Sequence, residues 1–402
     1  MKILIKNRRF HGGAAISILE YVKLLKDDYE IVVIGDRGKV LESYEKLGIQ
    51  TAIMPKFAYK SLILNFILIM KLSKVILIEK PNVIIANTFE NCIFCSVIQK
   101  ILNINVINIV PGGYLSNFHL KLLNSLKHSP SPFIVFSEEN RSQLQNAGIQ
   151  DDKIHVITNR FNFLSKEDLK LKNGDSPQPI GKSINLLLIS RLDRGKINSV
   201  IHVINTFSYL YNQCKDIQLH IAGDGEFLED VRNKADEINR SVGKNIIFVL
   251  GYVHNVQQYI INSHIVFGKG RSIIEAMYYK KIAIVVNENF EMSICRANNM
   301  NELYVYNFSG RNLKQADDAS ELLKIIKDIQ SGKELNINVE EIKKFIIDKY
   351  DINKAKNKIM QIINNYSSDK MPVITFKGIL KGILQYIKIY FIAIFAWLTS
   401  KD

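Results

Sequence analysis

Cysteine is scarce, at four in 402 residues. The one CxxC pair, Cys92 and Cys95, has no second pair to complete a zinc site, and four scattered thiols make no disulfide framework. Buried thiols in a reducing compartment are the expectation. The opening is short of polar leader chemistry: Met1 runs directly into KILIK, without charged leader, apolar core and cleavage site, so no secretory signal is expected. Long clean apolar runs are missing as well. The stretch 61–78 is interrupted by Asn65, Lys71, Ser73 and Lys74 and reads as a buried helix rather than a membrane span. Acidic charge is in deficit, with 39 Asp and Glu against 53 Lys and Arg and a formal net charge of +14. That balance favours anionic partners. No helix-turn-helix, zinc finger or aromatic RNA motif accompanies it, which places nucleic acid last and leaves nucleotides or an anionic membrane surface.

A hydrophobic content of 47% excludes a disordered chain, and 402 residues exceed one ordinary core. In the first half the runs KILIK, EIVVIG, TAIM, NVIIAN, INVINIV and SPFIVFS alternate with helical patterns. Their apolarity is continuous rather than alternating, the mark of parallel strands covered on both faces. The polar, glycine- and proline-broken text after Leu164 reads as a boundary. The expected division is an amino-terminal domain over 1–165, a linker over 166–183, a second domain over 184–350, a helix over 351–370 crossing back to the first domain, and a tail over 371–402.

Several loops invite a ligand. Gly12 and Gly13 precede a helix at a strand's carboxyl end without the full GxGxxG spacing. Pro111, Gly112 and Gly113 most simply form a turn, His11 and His119 are not kept as bases, and Ser137 reads as a helix cap. In the second half INLLLIS ends in SRLDRGK, where Arg191 and Lys196 suit a diphosphate. LHIAGDGEFL brings Asp224 and Gly225 into a tight turn, and IIFVLGYV supplies another strand end. IVFGKGRSIIEAM then brackets a loop with Gly268 and Gly270, offers Ser272 as a cap, and places Glu275 one turn into a helix.

These four signals in this order resemble the GT-B glycosyltransferases of the GT4 class, retaining enzymes that use nucleotide sugars. The resemblance covers nearly all of residues 1–366. It implies an α/β chain of two Rossmann-like, doubly wound parallel-sheet domains facing a cleft, with the sugar donor bound by the second domain and the acceptor mainly by the first. By resemblance Arg191 and Lys196 would hold the donor diphosphate, Glu275 the ribose, and Gly251, Tyr252 and Val253 would border the base. Gly12 and Gly13 would close over the donor. Gly268, Lys269, Gly270, Arg271 and Ser272 complete the donor-binding set, with Lys269 and Arg271 free to meet sugar or phosphate or to face solvent. No metal or other cofactor is called for, the nucleotide sugar being a substrate. Two positions depart from the family pattern: Phe267 replaces the first Glu of a paired-Glu signature, and Gly112 stands where relatives carry His. An apolar contact at Phe267 would suit a deoxy or acetylated donor sugar.

The tail places Lys377, Lys381, Gln385 and Lys388 along one helical face and Ile379, Ile383, Ile387 and Phe391 along another. Its apolar end, Ile389 to Leu398, reaches about half of a roughly 30 Å hydrocarbon core. The expectation is an amphipathic helix lying on the anionic inner leaflet, with Trp397 near the interface and the whole tail removable without unfolding; a helix packed on the protein is the alternative. The function so read is sugar transfer to a glycan or lipid-linked acceptor in cell-surface polysaccharide synthesis, by a cytoplasmic enzyme peripheral to the membrane. A non-catalytic glycan-binding subunit of the same fold and a nucleotide-sugar epimerase are the alternatives.

Overall fold

The β-type runs become the middles of two separate parallel sheets. The computed structural model describes residues 1–10, 12–56, 61–110, 112–113, 115–158, 183–313, 319–368 and 371–398. It divides into two units, Met1–Arg160 with Ile352–Asp402, and Phe161–Asp351. Most of the expected linker, residues 166–182, and His11 and Pro111 lie outside the described residues.

In the first unit the strands are β1 (Lys2–Arg9), β2 (Glu30–Asp36), β3 (Gln50–Ile53), β4 (Val83–Asn87), β5 (Val106–Val110), β6 (Phe133–Val135) and β7 (Ile154–Val156). They form one parallel sheet of order β3-β2-β1-β4-β5-β6-β7. Every residue of β4 and β5 is buried, as continuous apolar runs require when helices cover both faces. The helices are α1 (Gly12–Leu25), α2 (Leu41–Lys46), α3 (Leu62–Glu79), α4 (Phe89–Leu102), α5 (Asn117–Asn124) and α6 (Glu138–Asn146). Gly12 and Gly13 are therefore the first residues of α1 rather than a loop before it. Ser137 caps α6, its hydroxyl accepting the Asn140 N–H at 3.2 Å. Cys92 and Cys95 are buried in α4, and burial pushes both thiols up, Cys95 to about 12.

The second unit holds β8 (Ile184–Ile189), β9 (Ile217–Ala222), β10 (Ile247–Gly251), β11 (Ile265–Gly268), β12 (Ile282–Val286) and β13 (Met292–Ile294). Their order is β10-β9-β8-β11-β12-β13, parallel except for the antiparallel β13. Its helices are α7 (Ile197–Gln213), α8 (Leu228–Val242), α9 (Val256–Asn262), α10 (Arg271–Tyr278), α11 (Met300–Val305), α12 (Ala319–Gln330) and α13 (Val339–Tyr350).

Two last helices, α14 (Ile352–Tyr366) and α15 (Phe376–Leu398), belong to the first unit. α14 buries Ala355, Ile359, Ile362 and Ile363 in the same core as Ile18 and Val22 of α1. α15 corrects one expectation. It is not a separable tail, because a seam of small residues seats it on α4 and α5. A Cβ on Gly378 would stand 2.5 Å from the Ile101 carbonyl oxygen, and one on Gly382 would stand 2.3 Å from the Ile101 side chain. Ile389 and Ala393 continue the seam into the core cluster. By length and composition its stretch Phe376–Ala396 suffices to cross a membrane. The side chain of Trp397 lies outside what is described. α3 corrects a second expectation: it is only half buried, with Ile63 77%, Phe66 55%, Met70 57% and Ile78 64% exposed.

Candidate functional site

In the second sheet the strand order reverses between β8 and β11, so the loops leaving their carboxyl ends diverge and open a crevice, where doubly wound sheets bind ligands. A cavity of about 440 Å³ occupies it. Arg191, Lys196, Tyr252, Val253, Gly268, Lys269, Arg271, Ser272 and Glu275 all line it, so most of the residues singled out from sequence meet at one place. Gly251 and Gly270 do not line it. They shape its rim from positive φ, at 70° and 55°. Gly12 and Gly13 belong to the other unit. A larger concavity of about 810 Å³ surrounds Lys281 and Asn338, but the helix start there is already capped, Asn338 accepting the Glu341 N–H at 3.1 Å, and is fronted by Glu340.

The cavity floor depends on close backbone crossing. Gly223 passes over the end of β8, where a Cβ would stand 1.8 Å from the Ser190 carbonyl oxygen, so AGDG tolerates no side chain at this point. Leu192 N–H then bonds the Asp224 carbonyl at 3.0 Å, fixing the SRLDRGK loop beside β9. From this loop Arg191 extends largely into solvent, 3.0 Å from the Asp193 carboxylate. Lys196 stands just before α7 with its ammonium 3.4 Å from Glu288.

Glu288 carried no motif, and sequence reading passed over it. Its carboxylate also bonds the ammonium of Lys269, whose side chain is 13% exposed. Burial pushes Lys269 down to about 8, the bond to Glu288 opposing and the neighbouring Lys196 charge adding to the shift. Burial likewise pushes the Glu288 carboxyl up, but the Lys269 bond and the two lysine charges outweigh it and hold the group below the usual carboxylate range. Lys269 is thus a largely buried part of the cavity lining, held by Glu288.

Glu275 sits one turn into α10 with its side chain 6% exposed. A carboxylate so placed needs partners, and it has them: Arg271 Nε donates at 3.0 Å and Gln257 Nε2 at 3.2 Å. Gln257 was a second omission. Ser272 does not cap α10. Gly270 holds the cap position, and the Ser272 hydroxyl donates instead to the Lys269 carbonyl at 3.2 Å.

Phe267 corrects the reading that its ring meets a donor sugar. It lies in β11 between Leu188 of β8 and Ile284 of β12, is 1% exposed, belongs to the core cluster and does not line the cavity. The polar side chain close to it that does line the cavity is Lys269, which Glu288 holds from outside the lining.

In the first unit the order reverses between β1 and β4. There Arg8 stands 2.9 Å from the nearly buried Glu90, behind Thr88 at a φ of 82°. His119 packs on Phe89 with ring centroids 3.9 Å apart and the rings tilted by 46°, and its Nδ1 accepts the Ser116 N–H at 3.3 Å. Burial pushes its imidazole down; Glu90 opposes this and Arg8 adds to it. The Gly113 carbonyl accepts from the Asn140 amide at 2.9 Å, which fixes the glycine turn.

Comparison with known proteins agrees with this geometry. Residues 11–162 match the model of Glycosyltransferase Family 4. No curated protein matches the chain by sequence. Among solved structures, HepE of Anabaena in complex with UDP and glucose is 18% identical, with a TM-score of 0.67 over 91% of this chain and 100% of that one. A glycosyltransferase from Rickettsia africae ESF-5 is 19% identical, with a TM-score of 0.68 over 91% and 98%. The UDP-GlcNAc 2-epimerase of Methanocaldococcus jannaschii is 16% identical, with a TM-score of 0.56 over 91% and 100%. The chain is GT4-like in its amino-terminal sequence pattern and GT-B in fold.

Proposed function

We propose that the protein is a glycosyltransferase that takes a sugar from a nucleotide-diphosphate donor and passes it to a glycan or lipid-linked acceptor in cell-surface polysaccharide synthesis. The observation that carries this reading is the single crevice in which Arg191, Lys196, Lys269 and the amino end of α10 converge at the switch point of the second sheet. Negative charge grows on the leaving diphosphate as a glycosyl bond breaks. Fixed cations and a helix amino terminus stabilise that charge more in the transition state than in the ground state. Tyr252 and Val253 offer the flat, largely apolar border that a base stacks against, and Glu275 a carboxylate for ribose hydroxyls. HepE, which shares the fold, holds UDP-glucose, in support of a nucleotide-sugar donor. Retention of anomeric configuration, hexosyl specificity and independence of metal follow from the family resemblance. α15 and the basic charge support an acceptor at the inner membrane surface.

A panel of nucleotide sugars with membrane extract as acceptor, read by nucleotide release, tests the proposal. Transfer from at least one donor supports it. A sugar altered without release of nucleotide supports epimerisation. Nucleotide binding with silence across the panel supports a non-catalytic subunit.

A further inference from the structure

The sequence treats 61–78 as core and the tail as an appendage, but the fold puts α3 and α15 on the same flank of the first unit. Both pack against α4, and the buried Asn65 of α3 hydrogen-bonds the Tyr386 side chain of α15. Leu68 and Leu72 from one helix share a core cluster with Ile389 and Ala393 from the other.

What the pair leaves outward is the unusual part. α3 exposes Ile63, Phe66, Ile67 and Met70, then Lys71 and Lys74. α15 exposes Leu380, Ile383, Leu384, Ile387, Phe391 and Phe395. A water-facing helix would carry polar side chains at these positions, and this many large apolar side chains exposed on two neighbouring helices mark an interaction site. The charge carried by the two helices is mostly of one sign. α15 contains Lys377, Lys381 and Lys388 and no acid, and the only acid of α3, Glu79, is paired with Lys2 at 2.7 Å. That pattern complements an anionic lipid surface.

The seam decides the orientation. α15 is held against the unit from Gly378, at the Lys100 and Ile101 carbonyls, to Ala396, which is fully buried. A helix crossing the bilayer would have to give up that seam. A helix lying in the headgroup plane keeps it and still buries its outer face.

We propose that α3 and α15 form one composite face by which the first unit lies on an anionic bilayer, α3 contributing as much as the tail. The inference rests on the membrane-surface acceptor proposed above and names the part of the protein that meets it. The test uses the full chain with vesicles of phosphatidylcholine alone or mixed with phosphatidylglycerol. The wild type should co-float with the mixed vesicles, and Phe66→Ser with Met70→Ser should weaken this at least about tenfold although α15 is intact. Lys71→Gln with Lys74→Gln should weaken it about fivefold per lysine. An environment-sensitive dye at Ile67→Cys should shift to the blue only on the mixed vesicles. UDP binding, measured on the same preparations, should be unchanged in every variant, which separates this face from the donor site. Wild-type binding retained by the α3 variants, with no dye shift, would overturn the proposal in favour of α15 alone. Self-association of the wild type that the Phe66 and Met70 substitutions abolish, without vesicle binding, would reassign the face to a second copy of the chain.

Discussion

The Glu288 carboxylate lies 3.4 Å from the Lys196 ammonium while bonding Lys269 directly, so one acid holds two of the cations that line the cavity. An arriving diphosphate competes with that acid for both lysines. With Lys269 at about 8 in the free protein and its charged form favoured by a bound anion, binding takes up a proton near and above that pH. Nucleotide-diphosphate affinity should therefore be highest below pH 8 and fall as pH rises through it. Calorimetry in buffers of different ionisation enthalpy measures the uptake directly. In Glu288→Gln the Lys269 ammonium loses its partner, so the fall in affinity should begin at lower pH.

Replacing Arg191 or Lys196 by Ala should weaken nucleotide-diphosphate binding about tenfold to a hundredfold, the worth of a charge-assisted bond of about 1.5–3 kcal/mol. Thermal unfolding should hardly change, since the Arg191 side chain is 76% exposed and the Lys196 side chain 32%. Calorimetry showing affinity unchanged from the parent in both variants would remove the clamp.

Glu275→Gln keeps a side chain of the same size between Arg271 and Gln257 but removes its charge. The expected outcome is a folded protein with little or no turnover. Turnover near that of the parent, in the donor panel, would leave Glu275 a structural partner of Arg271 only.

Phe267→Glu, which introduces the carboxylate that the family resemblance implies at this position, should damage the protein. The position is 1% exposed within the second core, so the substitution removes a packed ring and buries an unpaired acid, at a cost of about 3–5 kcal/mol. Denaturant unfolding should show this as a lower midpoint. A gain in transfer activity at undiminished stability would return the side chain to the cavity.

Gly378→Ala tests the seam of α15. A methyl group there meets the Ile101 carbonyl oxygen at 2.5 Å, so the helix must lift from α4. Overpacking of this kind costs about 1–3 kcal/mol and should lower thermal stability. Removal of 371–402 should do more, because it uncovers the core around Ile389 and Ala393.

The sequence by itself determined the two sheets and most of the candidate site. Runs such as NVIIAN and INLLLIS are apolar throughout because helices cover both faces of their strands, and that signal is local. The glycines and cations that follow the strands are local too, since a strand's carboxyl end is fixed by the strand itself; this is why Arg191, Lys196, Lys269 and Glu275 fell in one cavity. What only the tertiary structure decided is which way side chains outside those motifs face. Phe267 is buried because β11 lies inside the sheet between β8 and β12 with its side chain in the core cluster, and no spacing along the chain reports sheet neighbours. Glu288 reaches Lys196 across 92 positions of sequence, through the adjacency of β8, β11 and β12. α3 and α15 have nearly all-round apolar faces, and hydropathy alone does not say which face is covered. Packing on α4 covers the small-residue seam and leaves the large apolar side chains outside.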